Sequence, residues 1–515
     1  MASKASPVVA FGVVLAAVNI AAAQITLTKI ADTSTSIPGG TESFAWFGPA
    51  VDGGYSPSIS GGTVAFFGQG ASGRNGIYAA SGGSLSVVAD TDTPIPGGTG
   101  NFAYFRYSPS ADGDNVAFIG LDASYRTGIY VGSAGSVQLV ADANTPVPGG
   151  TETFAGFADE LSADGGKVAF YGESSGGPVG FCESDGGVLR IVVDGNTPVP
   201  GGIGTFRFPY GYRSITLGGG NSVFTGWWDS LESGTYAEID GTLTLIADTL
   251  TPVPGGTGTF YAFDMVETTP PTIDGENVAF WAAESSWPWA GGIYLYSGES
   301  LSVVANDSTP VPGGGGNFTS FGPRPPAIDG LNVLFHGTHA SGSGLYVSVG
   351  GSIMTVVEVG QTLDGKTVEY VETGSESFDG DQVVFWVYFS GGSQAIYAAS
   401  IPVPYYALDL EIINGEWGDV VVEPDAPSYA VGTPVTLTAE PIPGKAFKHW
   451  MVLDPNHPGD ANYLVIDGND TTTIVMNADR QVTAVFKCGA GSLMLPMLMV
   501  GMALWAMRGR RRGRS

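Results

Sequence analysis

The sequence predicts an all-β protein: a seven-bladed β-propeller closed by its own N-terminal strand, then a small all-β module and a C-terminal transmembrane helix. Three observations predict it. A hexapeptide, T-P-V-P-G-G or a near copy, recurs with the proline before Gly-Gly at Pro38, Pro96, Pro148, Pro200, Pro254 and Pro312, in steps of 58, 52, 52, 54 and 58 residues. A fixed period in this range marks a repeat architecture. Between the hexapeptides lie four short runs rich in Val, Ile, Phe and Tyr, bounded by Gly, Asp and Ser, which read as strands. The second run of each unit is apolar on both parities, as in Val64, Ala65, Phe66 and Phe67, so its sheet is covered on both faces. Four-stranded sheets sandwiched between neighbours at this period are propeller blades.

The N-terminus carries Lys4, an apolar run over 7–20 and Ala21-Ala22-Ala23, the pattern of a secretory signal peptide over 1–23 cleaved after Ala23. Residues 25–32 (ITLTKIAD) read like the fourth run of later units (LSVVAD, VQLVAD, LTLIAD). The hexapeptide follows. Its prolines fix φ and lack a donor, which keeps the segment extended, and its glycines permit a sharp turn. It is a connector from one blade to the next.

In the first unit the four runs are 44–47, 64–67, 76–79 and 85–89. The second run recurs as NVAF, KVAF, SVFTG, NVAF, NVLF and QVVF, and the third as G-I-Y or close to it. A hairpin signal precedes the second run at Asp112-Gly113, Asp164-Gly165, Asp274-Gly275, Asp329-Gly330 and Asp379-Gly380. Six blades are complete by about residue 358; the seventh stops after three strands, and residues 25–32 supply its fourth. That closure removes the open edge a linear repeat would expose. The propeller is expected over 25–401, a Pro linker at 402–405, the small module over 406–487 and an anchor segment over 488–515.

The chain has 79 Gly and 33 Pro, yet an 11% aromatic and 43% hydrophobic share excludes a disordered chain. Six of the 20 basic residues lie in the two end segments, which leaves 14 against 49 acidic residues over 24–487. Such a surface disfavours nucleic acid and anionic lipid. Two cysteines support no disulfide framework: Cys182 stands where sibling units carry Tyr, and Cys488 precedes the apolar stretch 493–507 and its Arg cluster.

Chemistry is sparse. His336 and His339 are the only close histidine pair, in poor geometry for zinc, and no nucleophile elbow, zincin or phosphate loop occurs. The expectation is therefore no catalytic, cofactor or metal residues. Asp32, Asp90, Asp142, Asp194 and Asp248, with Asn306 in the sixth copy, precede the connector and read as Asx turns; a calcium-binding ring is the sharper alternative. Trp227, Trp228, Trp287 and Trp289 follow second-strand runs where siblings carry Gly or Ser. They read either as exposed ligand contacts or as packing between the fourth and fifth blades.

The repeat P-S-I-D-G-x-x-V-A-F…G-I-Y…L-x-x-V-A-D resembles that of Tol-type β-propellers and, more closely, secreted bacterial propellers with the T-P-x-P-G-G connector. The segment Y-x-x-G-T-P-V-T-L-T-A-E-P…G-x-x-F-x-x-W…V-T-A-V-F resembles the divergent internalin-type B repeat of bacterial surface proteins, which implies a stalk or adhesion spacer. Cys488-Gly489, an apolar helix and arginines resemble a C-terminal sorting signal, which implies processing at Cys488 and Gly489. Together these imply an exported, membrane-anchored, non-catalytic surface protein that binds an extracellular glycan or a surface or matrix protein. A polysaccharide hydrolase or lyase and a purely structural envelope component are the alternatives.

Overall fold

The computed structural model describes residues 24–488 apart from 49–55, 134, 203, 209–213, 229–231, 264–268, 285–290, 323, 454–462, 468 and 477. The expected signal peptide with Ala23, the apolar C-terminal stretch, Gly489, Trp287 and Trp289 lie outside the described residues. Among the described residues no helix is long and apolar enough to cross a membrane, and the helical content is one 3-10 turn, Gly415–Trp417.

The protein is all-β. Among the described residues seven antiparallel sheets follow one another along the repeats, the first six with their strands side by side in chain order. The second is typical: Tyr104–Asp112, Asn115–Leu121, Thr127–Ser133 and Ser136–Ala141. In the first and sixth sheets the innermost strand is broken in two, as Phe44–Trp46 and Ser58–Ser60 show, and both pieces pair with the same neighbour, Thr63–Gly70. The sequence reading counted the Phe run alone as the first strand. The seventh sheet is broken in the same way, Lys366–Glu372 and Phe378–Asp379 both pairing with Gln382–Phe389.

The seventh sheet contains Lys366–Glu372, Gln382–Phe389 and Gln394–Ser400, and its outer strand is Thr26–Asp32 from the opposite end of the repeats. Thr26 stands opposite Ser400 and Asp32 opposite Ala395. The strand is also pinned laterally: Lys29 Nζ lies 2.9 Å from Asp32 and 3.0 Å from Asp364. Asp364 sits with Gly365 at positive φ, at the tip of a hairpin that replaces the hexapeptide here.

Seven apolar clusters lie between successive sheets, and one joins Val384, Trp386 and Ile396 of the seventh to Phe44, Phe66 and Tyr78 of the first. A shared wedge builds them. The Phe after each hexapeptide sets its ring edge-on to the Tyr of the third run: Phe44–Tyr78, Phe102–Tyr130 and Phe206–Tyr236 all have centroids 4.9 Å apart. A glycine makes room for it. A Cβ at Gly120 would lie 2.5 Å from the Phe102 ring. In the third sheet Cys182 takes the Tyr position; it is fully buried, and desolvation pushes its thiol up to about 12.

Residues 405–488 form a second body of small sheets around Trp450, Leu437, Met476 and Phe486. It is docked rather than strung on a free linker. Val431 is buried in the cluster between the sixth and seventh sheets, its N–H bonds Pro404 O at 2.8 Å, and Gly432 lies against Leu331.

Candidate functional site

The innermost strand of most sheets ends in Ser-x-Asp-Gly or a close variant, and the Asp of that motif reaches the next sheet. Asp112 accepts from Gly165 N at 3.1 Å and Gly166 N at 2.7 Å. Asp164 accepts from Gly220 N, Asp274 from Gly330 N, Asp329 from Gly380 N and Asp379 from Gly61 N. In the first sheet Ser60 takes the Asp position and accepts from Gly113 N. The fourth sheet has Gly218 instead, and there Asn221 Nδ2 donates to Gly275 O at 2.9 Å. A second tier runs beside it: Ser58, Ser110 and Ser162 accept from Ala111 N, Ala163 N and Leu217 N. Read locally, Asp-Gly is a turn signal; in the structure it is also a clasp between sheets. Burial and the neighbouring charges of Asp274 and Asp379 push Asp329 up to about 6.

Where the innermost strands converge, a cavity of about 60 Å³ is lined by Glu160, Arg324, Glu372, Thr373 and Glu376 among others. That volume holds a few waters and falls well short of a drug-sized ligand. Its side chains are partnered from several sheets. Arg324 pairs with Glu372 and donates to the Tyr370 hydroxyl. Ser162 donates to Glu376 across 214 residues of chain. Glu376 keeps a sliver of contact with the cavity, but protein encloses it, and desolvation pushes it up to about 7 against the pull of Ser110 and Ser162. Burial likewise raises Glu372 to about 7, opposed by Arg324. His336 Nε2 lies 2.8 Å from Thr373 Oγ1, and desolvation beside Arg324 lowers it to about 3, so it is neutral. Two buried carboxyl groups that titrate near neutrality are the arrangement general acid–base chemistry uses.

The sequence reading named none of Arg324, Glu372 and Glu376. They stand in stretches without repeat character, and only the convergence of the strands joins them. His336 is held away from its expected companion: His339 faces Glu358, at 3.7 Å. Among the described residues no group of three or more His, Cys, Asp or Glu could hold a metal ion.

The Asp before each hexapeptide closes its own turn. Asp90 Oδ1 accepts from Asp92 N and Thr93 Oγ1, and Thr93 Oγ1 in turn accepts from Asp90 N. The same set recurs at Asp32, Asp142, Asp194, Asp248 and Asn306. These side-chain oxygens are spread along the series and engaged within their turns.

Of the tryptophans, Trp227 ends the strand Asn221–Trp227 and is half-buried. Trp228 takes the packing alternative, at a different joint from the one expected. It is 7% exposed, its Nε1 donates to Glu232 at 2.7 Å, and it packs with Phe206 and Tyr236 in the cluster between the third and fourth sheets, not the fourth and fifth. The ring is buried because Glu232 satisfies its one polar atom. Cys488 is exposed at the end of the strand Arg480–Cys488, 3.7 Å from Lys445 Nζ.

Among solved structures, the chain is similar to the Pyrococcus horikoshii acylaminoacyl peptidase (12% identity, TM-score 0.39, 78% of this chain and 60% of that one). It is similar also to a Mycobacterium tuberculosis puromycin-hydrolyzing peptidase (12%, 0.31, 72% and 64%) and to the Aleuria aurantia lectin (10%, 0.31, 63% and 99%). The chain thus spans under two thirds of either peptidase, and likeness this slight carries no functional weight. No curated protein matches the sequence. The C-terminal body, at residues 408–490, matches the divergent InlB B-repeat domain, in agreement with the sequence reading. Residues 13–215 and 216–402 each match one further family, so that the repeats are covered end to end and the chain belongs to the family of unknown function DUF7453.

Proposed function

We propose that the protein is an exported, non-catalytic surface protein in which a seven-bladed propeller, closed by strand Thr26–Asp32, presents binding surfaces beside a B-repeat module. The B-repeat match at 408–490 carries this reading, because the module stands between the repeats and the apolar, arginine-tipped end of the chain. The clasp from Asp379 to Gly61 and the cluster joining seventh and first sheets support the closed propeller. The partner is an extracellular glycan or a surface or matrix protein, and the C-terminal segment anchors the chain in a membrane unless it is processed at Cys488 and Gly489. Protease shaving of intact producing cells tests this: peptides from the repeats are expected in the released fraction. Peptides seen only after lysis would refute surface display.

A second reading rests on Glu372 and Glu376, whose raised pKa values suit a propeller-type hydrolase or lyase acting on extracellular polysaccharide. Purified protein incubated with polysaccharides should produce no new reducing ends. Turnover that Glu376→Gln abolishes would reverse the ranking.

A further inference from the structure

Four charged residues that depart from the repeat meet in one groove, between the third and fourth sheets. Glu183 stands where the six sibling sheets have Ala79, Val131, Ala237, Leu295, Val347 and Ala398. Arg190, opposite it, replaces uncharged Thr28, Ser86, Gln138, Thr244, Ser302 and Met354. Lys167 replaces Thr, Asn or Gln, and Glu238 a small residue or Tyr.

The four are arrayed, not scattered. Arg190 Nε bonds Glu183 at 3.0 Å, while its Nη1 bonds both oxygens of Glu238 on the next sheet, at 2.8 and 3.0 Å. Lys167 Nζ lies 3.5 Å from Glu183, whose side chain is 3% exposed. They line a groove of about 690 Å³, the size range of small-molecule sites. Ser222 lines it too, and its buried hydroxyl has no hydrogen-bond partner among the described residues. A buried hydroxyl left unmet costs free energy unless something outside the fold completes it. At the rim Val188 is 72% exposed, an apolar platform where the siblings carry Ser or Thr.

We infer that this groove binds a neutral oligosaccharide. Its floor alternates two cations with two carboxylates, so it offers donors and acceptors side by side with no net charge. Sugar hydroxyls, each donor and acceptor, match that floor, and a C–H face of the sugar matches Val188. Asp185 and Asp240, which also line the groove, and the acidic body repel an anionic ligand. The inference rests on the reading of the propeller as a binding scaffold and gives that scaffold a site.

The test uses the full chain on an array of neutral hexose, N-acetylhexosamine and uronate oligosaccharides, with thermal melts of each variant. Ser222→Ala removes a hydroxyl that has no partner among the described residues, so the melting temperature should hold while affinity for a neutral oligosaccharide falls several-fold. Arg190→Met should weaken binding roughly ten-fold or more, as loss of charge-assisted hydrogen bonds does. Neutral-sugar binding that ignores both variants overturns the groove but leaves the scaffold reading standing. Binding of uronates alone, or of no oligosaccharide, overturns the inference outright, and cell-surface shaving then judges the scaffold reading separately.

Discussion

Asp379 Oδ2 accepts a hydrogen bond from the backbone N–H of Gly61 at 2.7 Å, although 318 residues separate the two. It is the same contact that Asp112 makes with Gly165 and Asp274 with Gly330, each between consecutive sheets. One local motif therefore does two jobs: it turns the chain, and it fastens most sheets to their successors, including the last to the first.

Removing that fastener should weaken the whole series. Asp379→Ala is expected to cost about 1.5–3 kcal/mol in a denaturant titration, the range for a hydrogen bond to a charged acceptor. Asp379→Asn keeps an acceptor oxygen and should recover more than half of the loss. Equal losses for the two variants would mean that the contact with Gly61 contributes nothing.

The fourth sheet breaks the pattern, and restoring the pattern should do harm. Gly218 holds the Asp position, and a Cβ there would lie 1.9 Å from Ile273 O; one at Gly219 would lie 2.4 Å from Gly275 N. Main chain meets main chain at this joint. Gly218→Asp, though it copies the other sheets, is expected to cost about 3 kcal/mol or more by forcing the fourth and fifth sheets apart. A variant that folds with unchanged stability would contradict this packing.

Phe102 fills the space that Gly120 leaves open and meets Tyr130 edge-on. Phe102→Ala should cost about 3–5 kcal/mol through lost burial and the cavity that remains. Calorimetry would check the value; a loss below about 1 kcal/mol would show that the wedge is dispensable.

Glu376 predicts a dependence on pH. Its folded pKa, about 7, lies above the ordinary Glu value, so between roughly pH 4.5 and 7 the folded state holds a proton the unfolded chain has released. The stability it contributes is fully present below about pH 4.5 and is lost as pH rises through 7. Glu376→Gln, which still accepts from Ser162, should flatten this part of the stability–pH curve. An unchanged slope in that window would mean that Glu376 does not titrate there.

Much of the fold was legible because its signals are local and repeated. The hexapeptide, the Asp that closes its turn and the apolar runs each depend on neighbours within ten residues. Even the pairing of Thr26–Asp32 with Gln394–Ser400 was legible, since ITLTKIAD copies the outer strands of other units. The clasps were not, because a hairpin already explains Asp-Gly. Glu372, Glu376 and Arg324 carry no motif; their proximity exists only after several sheets converge. Trp228 misled for a different reason: a tryptophan at a strand end reads as exposed unless the partner of its N–H, here Glu232, is visible.

Two strands near the ends of the B-repeat body, Leu408–Ile413 and Arg480–Cys488, are adjacent and parallel, with Leu408 opposite Arg480 and Ile413 opposite Val485. Tension between the chain before residue 408 and the chain after Cys488 would pull these two strands lengthwise in opposite directions. Every hydrogen bond between them then bears load at once instead of yielding one after another, as a zipper would. Under such a load the module would act as a coupling that resists being drawn out along the line of these two strands.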